Sequence, residues 1–167
     1  MVSLVVGGNR LPLTTKASAM NRVYANEEVC VGCRLCEVHC LVEHSASRDL
    51  IKAFKRERPR ALARIRVQAD GDRFLALQCR HCPDPPCVRA CLTGALYRHP
   101  VTGAVYVDAD KCSGCWTCIL FCAFGAISRD VARGVIAKCD LCPDRLVPAC
   151  VANCPNEALI FTNGEEL

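Results

Sequence analysis

The sequence predicts an α+β fold: two similar small modules, one inserted in the other, made of short strands and short helices around buried cysteine sites. Three observations predict it. The sixteen cysteines fall into four blocks of four, each opening C-x2-C and closing C-x3-C. A unit recurs after the closing cysteines, the mark of one supersecondary piece used several times. The segment between the second and third blocks reads as a tight hairpin, so those two blocks pair locally and the first and fourth are left to meet across the length of the chain.

The blocks are Cys30, Cys33, Cys36, Cys40; Cys79, Cys82, Cys87, Cys91; Cys112, Cys115, Cys118, Cys122; and Cys139, Cys142, Cys150, Cys154. Blocks one and three read C-x2-C-x2-C-x3-C, the bacterial ferredoxin run in which three thiolates hold one cubane and the fourth reaches a second cluster. Block two stretches the middle gap to C-x4-C and block four to C-x7-C. With no cysteine left over, the count fits four [4Fe-4S] clusters, and the modules become bacterial-ferredoxin-like. The crossing rule then pairs the iron ligands. One cluster takes Cys79, Cys82, Cys87 and Cys122, and its neighbour Cys112, Cys115, Cys118 and Cys91. In the other module one takes Cys30, Cys33, Cys36 and Cys154, and its neighbour Cys139, Cys142, Cys150 and Cys40. Zinc suits this pattern poorly, because it usually draws two ligands from each of two separated C-x2-C knuckles, whereas a triplet on one tight loop matches three corners of a cubane. A disulfide framework belongs to an oxidising compartment and a short secreted chain.

Taken in order, Val23 to Ala25 is a strand followed by a polar turn and the first ligand, Cys30. Block one departs from the repeat, since Cys40 runs into Leu41-Val42-Glu43-His44. Asp49 to Lys55 reads as a short helix ended before Pro59, and Leu62 to Gln68 with Arg73 to Leu77 as a hairpin around Asp70-Gly71. Ala95 to Arg98 and Ala104 to Val107 form the hairpin between blocks two and three, turning at Pro100 and Gly103. The repeat is carried by Cys91-Leu92-Thr93-Gly94-Ala95-Leu96, Cys122-Ala123-Phe124-Gly125-Ala126-Ile127 and Cys154-Pro155-Asn156-Glu157-Ala158-Leu159: a closing cysteine, a three-residue turn, an alanine and an apolar residue opening a strand. The last of these strands, Ala158 to Phe161, is expected to pair with the strand near Val23. The division that results is 22–40 plus 132–162 as one discontinuous module, 41–78 as an inserted helix and hairpin, and 79–131 as the second module, flanked by an N-terminal extension (1–21) and a C-terminal tail (163–167).

Composition agrees with metal-centred stability. With five Phe, three Tyr and one Trp in 167 residues, a core of large side chains is thin, and much of the folding energy must come from metal–thiolate bonds. The formal charge of +4 misleads, because each oxidised cubane with four thiolates carries about −2, which takes the loaded protein to roughly −4. The basic residues of the insert, Lys52, Lys55, Arg56, Arg58, Arg60, Arg64 and Arg66, therefore read first as a solvated face offsetting cluster charge and second as a docking surface. They lack the interleaved aromatics of a nucleic-acid binder. No apolar run is long enough for a transmembrane helix. Leu4, Val5, Val6 and the Ala17-Ser18-Ala19 string imitate parts of an export signal, but without a basic n-region or twin arginine they read as a disordered extension or a start placed upstream of Met20. The expected compartment is the cytoplasm. His39 and His81 read as supporting residues beside ligands; Trp116 reads either as a shield over a cluster or as packing. Gly7-Gly8 is no dinucleotide fingerprint.

Four strings carry a family resemblance: Cys30-Val31-Gly32-Cys33-Arg34-Leu35-Cys36-Glu37-Val38-His39-Cys40, Ala76-Leu77-Gln78-Cys79-Arg80-His81-Cys82, Lys111-Cys112-Ser113-Gly114-Cys115-Trp116-Thr117-Cys118 and Lys138-Cys139-Asp140-Leu141-Cys142. From about residue 22 to 162 the chain resembles the four-cluster ferredoxin-like electron-transfer subunits of anaerobic oxidoreductases, of the dimethyl sulfoxide reductase and formate dehydrogenase type. Within that family it looks most like the branch that serves nickel–iron carbon monoxide dehydrogenase. Ala123 stands after Cys122 where such runs often carry proline, a change in the exit turn and not in a ligand. The resemblance implies a protein that takes low-potential electrons from a carbon monoxide dehydrogenase and passes them to a hydrogenase or a flavin-dependent NAD(P) oxidoreductase. The alternatives are the iron–sulfur subunit of a formate dehydrogenase, formate hydrogenlyase or molybdopterin oxidoreductase and, more remotely, a structural zinc module. No catalysis of its own is expected, since fully cysteine-ligated clusters leave no open iron and no flavin, nucleotide or molybdopterin machinery is recognisable.

Overall fold

The computed structural model describes residues 20–163; the leader-like strings, Gly7-Gly8 and nearly all of the expected extension and tail lie outside them. The fold is a small mixture of short helices and strands. In chain order the elements are β1 (Arg22–Ala25), α1 (Leu35–Glu43), α2 (Leu50–Lys55), β2 (Ile65–Asp70), β3 (Arg73–Gln78), α3 (Pro86–Arg89), β4 (Leu96–Arg98), β5 (Val105–Val107), α4 (Thr117–Leu120), β6 (Ile127–Asp130), β7 (Val135–Lys138), α5 (Ala149–Ala152) and β8 (Leu159–Thr162). They make four two-stranded antiparallel ribbons, β1–β8, β2–β3, β4–β5 and β6–β7. None of the described helices is long and apolar enough to cross a membrane.

The pairing of greatest sequence separation is β1 with β8, in the register Val23 to Phe161 and Ala25 to Leu159. Gln78 at the end of β3 donates from its amide to the Val23 carbonyl at 2.7 Å and so ties the inserted hairpin to that ribbon. Two apolar clusters result. One gathers Val23, Ile65, Val67, Ala76 and Leu159 around Cys36, Cys40 and Cys150; the other gathers Leu96, Val105, Ile127 and Ile136 around Cys87 and Cys118. Both cores are built from aliphatic residues and cysteines, which is why so few aromatics suffice. Helix α1 packs on α5 and α3 on α4, so block one faces block four and block two faces block three.

Two elements were not read from the sequence. Block one continues into a nine-residue helix, α1. The other closing cysteines are followed within three residues by Gly94, Gly125 or Pro155, whereas Leu41-Val42-Glu43 has nothing to stop a helix. The β6–β7 ribbon was also not read as a hairpin: its strands are four residues long and its turn carries Val131, 77% exposed, where polar residues usually mark a turn. The boundary expected between residues 131 and 132 falls inside that turn. The helix expected at Asp49 begins there as a cap, with the Asp49 carboxylate accepting the Lys52 N–H at 2.8 Å.

Candidate metal centres

In each block the first two cysteines sit on a tight loop whose residue just before the second cysteine is left-handed: Gly32 at φ 67°, His81 at 45°, Gly114 at 65° and Leu141 at 65°. A left-handed residue at this place is the backbone conformation from which successive amide N–H groups can form a nest suited to an anionic group. In blocks one and three the residue after the second cysteine is left-handed as well, Arg34 and Trp116. The third cysteine lies in a helix; in block one the closing Cys40 belongs to the same helix, α1, whereas Cys91, Cys122 and Cys154 stand two residues beyond the ends of α3, α4 and α5.

The closing turns repeat at the level of hydrogen bonds. Gly94, Gly125 and Glu157, each three residues beyond a closing cysteine, are left-handed. Their N–H groups return to the carbonyls of Cys91, Cys122 and Cys154 at 3.3, 3.1 and 3.3 Å. This brings the Leu96 N–H to the Cys91 sulfur and the Ala126 N–H to the Cys122 sulfur, both at 3.4 Å. Cys79 receives the His81 N–H at 3.4 Å, and Cys40, inside α1, receives the Arg64 N–H at 3.2 Å from the inserted segment instead. Such bonds stabilise sulfur-borne negative charge and raise cluster potentials.

The cysteines converge across blocks. Cys30, Cys33, Cys36 and Cys154 line one cavity; Cys91, Cys112, Cys115 and Cys118 line a second; Cys79, Cys82, Cys87 and Cys122 line a third. Cys150 lies within electrostatic reach of Cys139, Cys40 and Cys142. Burial pushes the Cys36 and Cys139 thiols up to about 12, and Cys118 and Cys142 to about 11. Thiolates at these positions are sustained only by a cation, which is what a cluster's iron supplies. The residues thus fit [4Fe-4S] groups in number, chemistry and convergence.

Exposure separates the sets. Cys33 and Cys115 are solvent-exposed, while the other two sets contain only buried or half-buried cysteines. Between the sets, Cys118 feels the charge of Cys87, Cys139 that of Cys79 and Cys150 that of Cys36. These neighbours link the Cys115 set to the Cys79 set, that set to the Cys139 set, and the Cys139 set to the Cys33 set, so the two sets with an exposed cysteine are the outer ones.

Several supporting residues carried no signal in the cysteine spacing. His44 bonds through Nδ1 to the Cys40 carbonyl at 2.7 Å and through Nε2 to the Asp140 carboxylate at 3.1 Å; Arg64 pairs with the same carboxylate. One network thereby fixes Cys40 beside Cys139 and Cys142. Burial alone would lower the His44 pKa, but the hydrogen bonds to Asp140 and Cys40 together outweigh it and hold the imidazole at about 9. His81 is fully buried, its Nδ1 accepting the Val105 N–H at 3.0 Å, and burial followed by the Lys138 charge holds it down to about 3. Its neutral ring carries the proton on Nε2, which has no hydrogen-bond partner among the described residues. His39 is half-buried on α1. Trp116 lines the cavity of the Cys115 set, with the Arg129 guanidinium 5.8 Å from its ring centre, so it both packs and covers. Of the basic run, Arg64 bonds Asp140 and Arg66 reaches the Gly125 carbonyl at 2.5 Å, while Arg60 lies over the Phe54 ring at 5.1 Å.

Comparison with known proteins gives one family match: residues 72–164 fit the 4Fe-4S dicluster domain. Among curated relatives, an iron–sulfur protein of Rhodospirillum rubrum is 39% identical, covering 82% of this chain and 79% of its own length. The electron transport protein HydN of Escherichia coli K12 is 37% identical over 89% and 91% of the two chains. The thiosulfate reductase electron transfer subunit PhsB of Salmonella typhi is 34% identical over 84% and 74%.

Proposed function

Since this chain belongs to the 4Fe-4S dicluster family and is an iron–sulfur electron-transfer protein, we propose that it relays low-potential electrons from an anaerobic nickel–iron carbon monoxide dehydrogenase to a hydrogenase or a flavin-dependent NAD(P) oxidoreductase. The observation that carries the relay is the convergence of the cysteines: three cavities are each lined by four of them, the remaining four are electrostatic neighbours, and two of the cavities each carry one exposed cysteine. Bound there, each cluster supplies one-electron redox chemistry and no open site for a substrate. The ligand sets are Cys79, Cys82, Cys87, Cys122; Cys112, Cys115, Cys118, Cys91; Cys30, Cys33, Cys36, Cys154; and Cys139, Cys142, Cys150, Cys40. The exposed loops at Cys33 and Cys115 present the two docking ends. In this architecture blocks one and four form one ferredoxin-like module and blocks two and three the other, inserted within it. The two apolar clusters and the β1–β8 pairing support that division.

A second reading, the electron-transfer subunit of a molybdopterin or formate enzyme, is favoured by one observation: a relative of 34% identity is named as the corresponding subunit of thiosulfate reductase. One set of assays separates the two. Anaerobically loaded protein carries about 16 iron and 16 sulfide per chain and negligible zinc. It oxidises nothing alone, and it binds a carbon monoxide dehydrogenase and speeds its reduction of an acceptor. Equal service to formate and molybdenum enzymes with no binding to the dehydrogenase selects the second reading, and stoichiometric zinc without sulfide overturns both.

A further inference from the structure

We propose that Lys138 is the shared counter-ion of the two inner cysteine sets, a fixed positive charge that raises the reduction potential of the clusters they hold. Lys138 ends β7, directly before Cys139, and is 1% exposed. Its ammonium donates to the Val105 carbonyl and, at 2.6 Å, to the Cys139 carbonyl. Both partners are neutral, and no ion pair among the described residues includes Lys138. Burying a cation with only dipoles around it costs far more than two hydrogen bonds return, unless anions lie close by.

The surroundings place such anions on two sides. Val105 lines the cavity of Cys79, Cys82, Cys87 and Cys122, so the carbonyl that holds Lys138 belongs to the wall of one inner set. Cys139, the other acceptor residue, is a member of the second inner set. The ammonium charge acts favourably on the thiolates of both Cys87 and Cys139. His81, whose ring takes the Val105 N–H, is neutral and adds no competing charge. A cation in this position favours whichever state of its neighbours is more anionic. Adding one electron to a [4Fe-4S] cluster makes it more anionic, so the inner clusters are easier to reduce than they would be with a neutral residue at this position.

The inference rests on the cluster assignment above. The test uses the full chain loaded anaerobically, with iron and sulfide counted on every sample so that a failure of that assignment registers separately. Redox titration with dithionite, followed by electron paramagnetic resonance, is compared for wild type, Lys138→Gln and Lys138→Arg. Gln keeps a donor for the two carbonyls without the charge; Arg keeps the charge. The expected result is that Lys138→Gln makes one or both inner clusters at least tenfold harder to reduce, a fall of 59 mV for a one-electron couple. The outer pair stays in place, and Lys138→Arg remains near wild type. Unchanged potentials in a fully loaded Lys138→Gln protein overturn the proposal. If the Gln variant fails to load while the Arg variant loads with wild-type potentials, charge is what the site requires and the proposal stands. If neither loads, the role is steric and the proposal falls.

Discussion

Replacing Cys122 by alanine removes a thiolate whose sulfur stands with Cys79, Cys82 and Cys87 around one cavity, although it closes the run of Cys112, Cys115 and Cys118. Alanine leaves no oxygen to substitute as a ligand, so the loss is of one full cluster, about 4 of 16 iron per chain. The informative measurement is the double variant. If Cys122 and Cys79 serve the same cluster, Cys122→Ala combined with Cys79→Ala still loses about 4 iron, because the second substitution attacks a cluster already gone. Cys122→Ala combined with Cys112→Ala loses about 8, because two clusters are hit. The mirror pair is Cys91→Ala with Cys112→Ala (about 4) against Cys91→Ala with Cys79→Ala (about 8). Anaerobic reconstitution followed by iron and sulfide analysis, with the spectrum at full reduction as a second readout, gives the counts. The inverse result, 8 for Cys122 with Cys79 and 4 for Cys122 with Cys112, refutes the crossed arrangement and with it the interlocked pairing of blocks two and three. An additive loss in every combination would show that the cysteines do not act as sets.

Two further predictions concern stability. Gly114→Ala is expected to destabilise the loaded protein more than Gly134→Ala. Both positions are left-handed, which alone costs an L-residue about 1–2 kcal/mol, but a Cβ at Gly114 meets the Gly134 carbonyl oxygen at 2.5 Å while one at Gly134 meets nothing within 4 Å; thermal melts of the two variants rank them, and equal losses would contradict it. The His44–Asp140 pair is expected to stabilise most at mildly acidic pH. His44 is raised, so its contribution is complete below its ordinary value near 6.5 and lost as pH rises through about 9, while Asp140, whose burial penalty is outweighed by the His44 bond together with the charges of Arg64 and His44, is lowered and contributes until pH falls below the usual carboxylate range. The amount at stake is on the order of 3 kcal/mol, and Asp140→Asn should flatten the loss of stability between pH 6.5 and 9 in denaturant titrations; an unaltered profile would refute it.

The sequence by itself determined the chemistry. Cysteine spacing is set by the size of a cubane and by the reach of a loop, both local, so the metal type, the four blocks and the closing turns were legible in residues a few positions apart. The hairpin of β4 and β5 and the short helix from Asp49 to Lys55 were legible for the same reason. The β1–β8 pairing was also readable, because blocks one and four were left to meet once blocks two and three had paired locally. That block one departs from the repeat was legible at Cys40, but the helix α1 that follows was not, since only the absence of a breaker in Leu41-Val42-Glu43 argued for it.

What the tertiary structure alone decided is how residues without a spacing rule support the sulfurs. His44 is 96 residues from Asp140, and Arg64 is 76 residues from it, yet the three fix Cys40 beside block four. Lys138 and Val105 are 33 positions apart and meet between the inner sets. Charge acts through space, across whichever surfaces the folded chain brings together, and a linear pattern of residues carries no record of those surfaces. Which cysteines are exposed and which sets stand side by side depend on how α1 packs on α5 and α3 on α4, helices whose buried residues are the cysteines themselves and Ala149, so that no apolar pattern announces the packing.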